Sequence, residues 1–258
     1  MDVLGVPISQ VDMPRAVDAI TDWGRAPEPH VVFARDVASL MLAVDDPALL
    51  ALHHSASLVL PDGMPLVWIA KLRGYGAKVG RVAGSDLVDA ICRASLQTGQ
   101  SHYFYGGQSG AADEMVRRLT KRYPGLKIAG TLTPPMRSFE SIRSPDAHAT
   151  DEFDTIRKAN PDFIWVGISS PKQEWWMSRA APAIGRGVFL GVGAAFDFQA
   201  GRVRRAPTWM QRIGLEWLHR LASEPRRLWR RYLVLAPRFV LLVLRSELRR
   251  RGSQQETD

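Results

Sequence analysis

Residues 163–176 read FIWVGISSPKQEWW, and this stretch decides the fold class. Phe163–Gly167 is apolar nearly throughout, as a strand buried on both faces requires. Ser169-Ser170-Pro171 then breaks the run, and a helical pattern opens at Lys172. The same unit recurs along the chain. Apolar runs occupy His30–Ala34 (HVVFA), Ser57–Leu60 (SLVL), His102–Tyr105 (HYFY), Lys127–Ala129 (KIA) and Val188–Val192 (VFLGV). Helical patterns fill Val37–Ala43, Met64–Leu72, Ser85–Thr98, Ala111–Tyr123 and Pro171–Ala180. This alternation predicts an α/β fold: a mostly parallel sheet with helices on both faces. Thr133–Asp151 is polar and Pro-rich and reads as a mobile loop.

The chain has 258 residues, 46% of them hydrophobic, which is enough for a sizeable core and excludes a low-complexity or disordered protein. The single cysteine, Cys92, excludes a disulfide framework and a cysteine-based zinc site, and suits a reducing compartment. The start, MDVLGVPISQVDMP, has neither a basic n-region nor an apolar h-region, so no signal peptide is expected. No uncharged apolar run of about 18 residues is present, so no spanning helix is expected either, and the protein is placed in the cytoplasm.

Charge is unevenly distributed. Residues 202–252 hold fourteen Arg, no Lys and three Glu, a local net of +11 within a total of +8. Residues 1–201 are therefore close to neutral and form the expected α/β body; 202–251 form a basic helical appendage, and 252–258 a disordered tail. An all-arginine segment suits phosphate, because a planar guanidinium fork matches its oxygens; a solvated basic face is the plainer reading. Thr208 is placed as the cap of a helix in which Trp209, Ile213, Trp217 and Leu221 recur every four residues up to Pro225. A second helix, Arg226–Ala236, should stop at Pro237. The third segment, Arg238–Arg251, carries the apolar stretch Phe239–Leu244 between arginines. It suits a helix lying in a membrane interface, or one packed on the body or on a second subunit.

In an open parallel sheet, ligands bind beyond the carboxyl ends of the strands. Four motifs fall there: Pro61-Asp62-Gly63, Gly106-Gly107, Ser169–Glu174 and Gly193–Asp197. Each glycine taken singly reads equally well as a tight turn, but four such motifs at one rim indicate a ligand crevice. The glycines match no dinucleotide fingerprint, and Walker A, HExxH and GxSxG sequences are absent. The six His show no metal-ligand spacing, and no Asp-x-Asp follows a strand, so no metal and no cofactor is expected.

The blocks LVLPDGMPLVW, RVAGSDLV, FYGGQSGAADEMVRRL, VGISSPKQEWW and GVGAAFDFQAGRVRRAPTWMQRIGLEWLHRLASEPRRLWRRYL lie in this order over residues 2–245. They resemble the bacterial WecG/TagA/CpsF glycosyltransferases (glycosyltransferase family 26). The resemblance implies a Rossmann-like core and a C-terminal appendage that docks on the inner face of the cytoplasmic membrane and helps complete the active site. It also implies inverting, metal-independent transfer of a sugar from a UDP-sugar to a lipid-diphosphate-linked sugar. Asp62 matches the proposed general base, and a base is needed because the acceptor hydroxyl must lose a proton as it attacks. Without the family, Asp62 reads as a turn residue. Arg81 and Gln173 match substrate-pocket positions, although each alone reads as a surface side chain. Arg220, Arg227 and Arg230 match arginines thought to hold the donor diphosphate. Gly106, Gly107 and Gly193 complete the expected substrate-binding set.

One departure stands out. The family's usual Thr-x-Asn is Ala34-Arg35-Asp36 here. The family uses N-acetylmannosamine, its uronic acid, glucose or glucuronic acid. An Asp36 facing the sugar would repel a uronate, which favours a neutral donor. Two other readings stay open: a nucleic-acid-binding protein acting through its arginine tail, and a nicotinamide-dependent oxidoreductase, which the missing fingerprint disfavours. The expected partners are the UDP-sugar, the lipid-linked acceptor and an anionic membrane surface, with no nucleic acid; a homo-oligomer is left open.

Overall fold

Three features place the ligand crevice: a fully parallel sheet, two helical layers, and an arm that folds back over the strand ends. The computed structural model describes the backbone of residues 1–144 and 150–255, with side chains for all of these except 150, 212, 227 and 251–255. β1 (Asp2–Val3) and β2 (Val6–Pro7) form a small antiparallel hairpin outside the six apolar runs. The six runs become β3 (Pro29–Arg35), β4 (Leu58–Pro61), β5 (Ser101–Gly106), β6 (Lys127–Leu132), β7 (Phe163–Gly167) and β8 (Gly187–Gly191). They make one sheet in the order β4-β3-β8-β7-β5-β6, with every neighbouring pair parallel.

Alternate strand residues feed two cores. Phe33, Val59, Tyr103, Ile164 and Phe189 face a layer that includes the helices Val37–Asp45, Pro47–His54 and Lys172–Ile184. Val32, Leu58, Phe104, Phe163 and Val188 face the helices Met13–Trp23, Gly84–Thr98 and Ala111–Arg122. Burial on both faces explains why the strands read as unbroken apolar runs, each large side chain contributing about 1.5–3 kcal/mol. Helices Met13–Trp23, Pro47–His54 and Thr150–Ala159 add to those legible in the sequence. The expected loop Thr133–Asp151 contains a helical turn, Phe139–Arg143, capped by Ser138 and anchored by buried Ile142; residues 145–149 lie outside the described residues.

The C-terminal arm differs from its expected outline in two places. The helix placed after Thr208 is two helices, Thr208–Arg212 and Glu216–Ser223, and the cap position is Pro207. Between them Gly214 takes φ +76°, and a Cβ there would meet the Trp68 ring at 2.9 Å, so only glycine lets the turn close on that ring. Nor does Pro237 end a helix. Residues 225–255 run on through a π-helical turn, Arg230–Leu235, into the helix Ala236–Gln255. The wider turn just before Pro237 accommodates its missing N–H and bulky ring. Of the expected disordered tail 252–258, residues 252–255 continue this helix, and 256–258 lie outside the described residues.

This last helix has two faces. Phe239 and Val243 are buried in the first core, Arg238 donates to Asp45 (2.6 Å) and Arg73 donates to Glu247 (2.8 Å). Val240, Leu241, Leu244 and Leu248 are exposed on the outside. No described helix is long and apolar enough to cross a membrane.

At the strand ends, β5 and β7 meet without side chains. Gly106 takes φ +122°, a Cβ on it would stand 2.7 Å from the Gly167 carbonyl carbon, and the Gly107 N–H donates to Gly167 (3.0 Å). Gly106→Ala should therefore cost about 2 kcal/mol or more, lowering the thermal midpoint by about 4 °C or more. An unchanged melting curve would contradict this close approach.

Candidate active site

The carboxyl ends of β3, β4, β5, β7 and β8 open into a cleft of about 910 Å³ roofed by the arm. At its floor Pro61-Asp62-Gly63 turns from β4 into the helix Met64–Leu72. The backbone N–H of Asp62 donates to the Arg35 carbonyl (2.9 Å), and a Cβ on Gly63 would crowd Asp36 at 3.3 Å. The turn thus fixes the Asp62 side chain beside Asp36.

Arg81 is not a surface side chain. Its Nε donates to the Asp62 carbonyl (2.8 Å), its guanidinium lies 3.8 Å from the Asp62 carboxylate, and it pairs with Glu216 from the arm. Arg205 binds the other oxygen of Glu216 (3.1 Å) and grips Asp86 with two nitrogens. Asp62 is consequently walled in, its side chain 31% exposed toward the cleft. Enclosure pushes its carboxyl up; Arg81 opposes this, Asp36 and Glu216 reinforce it, and the result is a value of about 6. Asp36 behaves oppositely. Burial would raise it, but Arg231 and the capping hydrogen bonds from Ser39 (2.9 and 2.8 Å) hold it far below the usual carboxylate range. Two neighbouring carboxyls thus ionise at well-separated pH, and a carboxyl raised to about 6 can take a proton near neutral pH.

On the far wall, Gln173 opens the helix after β7 and faces Gly193, which takes φ +51°. Lys172 lines the same wall and donates to the Arg137 carbonyl. Gly107 and Gly193 line the cleft, whereas Gly106 lies behind it at the contact between β5 and β7. From the arm, Arg220 lines the cleft with its guanidinium over the Phe198 ring (5.3 Å) and its buried Nε unpartnered. Arg230 does not reach the cleft; it lies over Trp229 (5.8 Å), and Arg231 points inward in its place. The Arg227 side chain lies outside the described residues. Among the described residues no three His, Cys, Asp or Glu side chains gather as a metal site would need.

Asp36, Asp62, Arg81, Gln173, Gly107, Gly193 and Arg220 thus converge on one cleft. Sequence reasoning missed Arg205, Glu216 and Arg231. Arg231 had a signal, since it stands four residues after Arg227 and shares a helical face with it as well as Arg230 does. Arg205 and Glu216 had none, because their meeting with Arg81 depends on how the arm folds back.

The profile of the Glycosyl transferase WecG/TagA/CpsF family matches residues 1–253. A curated relative from Bacillus spizizenii, named N-acetylglucosaminyldiphosphoundecaprenol N-acetyl-beta-D-mannosaminyltransferase, is 32% identical over 205 residues, covering 80% of this chain and 75% of its own. A protein of the same name from Bacillus subtilis is 28% identical over 219 residues, covering 85% of this chain and 77% of its own. With its parallel sheet, strand-end cleft and basic arm, the chain belongs to the WecG/TagA/CpsF glycosyltransferase family.

Proposed function

We propose that the protein transfers a neutral N-acetylhexosamine, of the N-acetylmannosamine type, from a UDP-sugar to a lipid-diphosphate-linked N-acetylglucosamine, with inversion and without a metal or other cofactor. The observation that carries this reading is Asp62, a carboxylate of raised pKa at the floor of a cleft whose roof is lined with arginine. The acceptor hydroxyl oxygen attacks the anomeric carbon as Asp62 takes its proton. The bond from that carbon to the diphosphate oxygen breaks on the opposite face, its electron pair leaving with UDP. Arg220, which lines the cleft with an unpartnered Nε, neutralises the charge that grows on the leaving diphosphate, the part a divalent ion plays elsewhere. Support for the sugar and acceptor comes from the names of the relatives. Asp36 no longer argues for a neutral donor, because Arg231 neutralises its charge.

The arm supports a place on the inner membrane face. Its outer stripe of Val240, Leu241, Leu244 and Leu248 is exposed beside arginines, the makeup of a helix seated in a lipid interface. A nucleic-acid reading finds less support, since Arg205, Arg231 and Arg238 are spent on Asp86, Asp36 and Asp45 rather than displayed as a basic face.

Asp62→Asn should retain UDP binding and the fold but lower turnover about a hundredfold or more, the scale of a lost general base. Near wild-type turnover would remove Asp62 from that role. Leu241→Ser with Leu244→Ser should abolish binding to anionic vesicles yet leave turnover on a short-chain acceptor unchanged. Ending the chain at Gly201 should abolish both, because Arg205, Glu216, Arg220 and Arg231 go with the arm. A truncated protein fully active on the short-chain acceptor would reduce the arm to an anchor.

A further inference from the structure

Gln173 is only 2% exposed, yet its Oε1 has no hydrogen-bond partner. Opposite that oxygen the chain carries Gly193, where a Cβ would stand 3.6 Å from Oε1. The other end of the amide is fully engaged. Nε2 donates to Ser170 Oγ (3.4 Å) and to Glu174 Oε1 (3.2 Å). The Ser170 hydroxyl spends its hydrogen on Glu174 Oε1 (2.7 Å), so a lone pair faces Gln173. Turning the amide over would set its carbonyl against two acceptors. Its polarity is therefore fixed, with the NH₂ inward and the carbonyl oxygen toward the cleft.

What fixes it lies a layer deeper. Arg35, at the end of β3, donates to Glu174 and to Ser170 Oγ (2.9 Å), and both members of the Arg35–Glu174 pair are 0% exposed. Burial pushes the Glu174 carboxyl up, but Arg35 and Ser170 outweigh it and hold it below its ordinary value, so it stays an acceptor. Ser170 and Gln173 line the cleft; Arg35 and Glu174 do not. A buried ion pair is a poor source of stability compared with a well-packed apolar pair, so its effect is sought in what it orients.

We propose that Arg35 and Glu174 are positioning residues that lock the Gln173 amide so that the cleft offers a carbonyl oxygen to an N–H or O–H of the bound nucleotide sugar. The proposal rests on the UDP-sugar reading above. A phosphate or carboxylate oxygen cannot fill this position, because it too is an acceptor. The donors of such a ligand can: the N3–H of the uracil, a ribose hydroxyl, or a hydroxyl or acetamido N–H of the sugar.

The test combines Arg35→Met with Glu174→Gln, which removes both charges at similar volume and frees the amide to turn. Calorimetry with UDP and with UDP-N-acetylmannosamine, and turnover on a short-chain acceptor, are compared with the wild type. The double variant should melt within a few degrees of the wild type, as a neutral core pair allows, while kcat/KM falls about tenfold or more. Equal loss of affinity for both ligands places the contact on the uridine; loss confined to UDP-N-acetylmannosamine places it on the transferred sugar. Gln173→Met, which keeps the buried pair, should give a loss of the same size, and adding it to the double variant should cost little more. If the double variant fails to fold, Glu174→Gln alone, which removes the carboxylate that accepts from the Gln173 amide, takes its place in the same assays. Unchanged affinity for both ligands and unchanged turnover, in either folded variant, would overturn the proposal. A wild type that binds neither ligand would overturn the UDP-sugar reading, and the proposal with it.

Discussion

Glu216 is shared by two arginines of different origin, and the site depends on that sharing. Arg81 comes from the loop after the helix Met64–Leu72 and Arg205 from the start of the arm; Glu216 lies beyond the Gly214 turn. Their convergence ties the arm to the body directly above Asp62. It also sets the electrostatics, since a carboxylate enclosed by protein and flanked by Asp36 and Glu216 titrates higher than an exposed one, and Arg81 limits the rise. Without the arm, Asp62 would lose Glu216 and the roof of the cleft above it. On the proposed chemistry, tuning of the base and completion of the cleft both depend on the arm.

The arm does two further things with one helix. Its inner face joins the core through Phe239 and Val243, and its outer face displays leucines. The π-helical turn Arg230–Leu235 sits between the cleft and this two-faced helix, and there Arg231 faces Asp36 while Arg230 faces outward. A single continuous segment thereby carries a charge in the cleft, an apolar anchor in the core and an exposed apolar stripe outside. On the reading above, a lipid-linked acceptor would meet the cleft and the membrane-facing stripe in the same encounter.

The sheet was legible because burial on both faces leaves nothing polar to interrupt Phe163–Gly167 or Val188–Gly191. Pro47–His54 was harder: PALLALHH has no amphipathic period, and its only start signal is Asp46 before Pro47. Asp62, Gln173 and Gly193 could be placed in a crevice because strand ends in a parallel sheet share one edge. The ring of Arg81, Arg205 and Glu216 could not, for it joins residues 135 apart through the fold-back of an arm that turns at Gly214 and, further on, runs past Pro237. Both residues resemble stop signals in sequence; in three dimensions one fits a tryptophan ring and the other follows a wider helical turn.

On the proposed chemistry, enclosure tunes Asp62 to act as a base near neutral pH. The acid limb of the kcat/KM profile on a short-chain acceptor measures this directly, because the base works only when deprotonated and the rate must fall as pH drops through its pKa. A limb near pH 6 is expected in the wild type. A limb near pH 4, the value of an unperturbed aspartate of about 3.9, would contradict this and show that the arm does not tune the carboxylate.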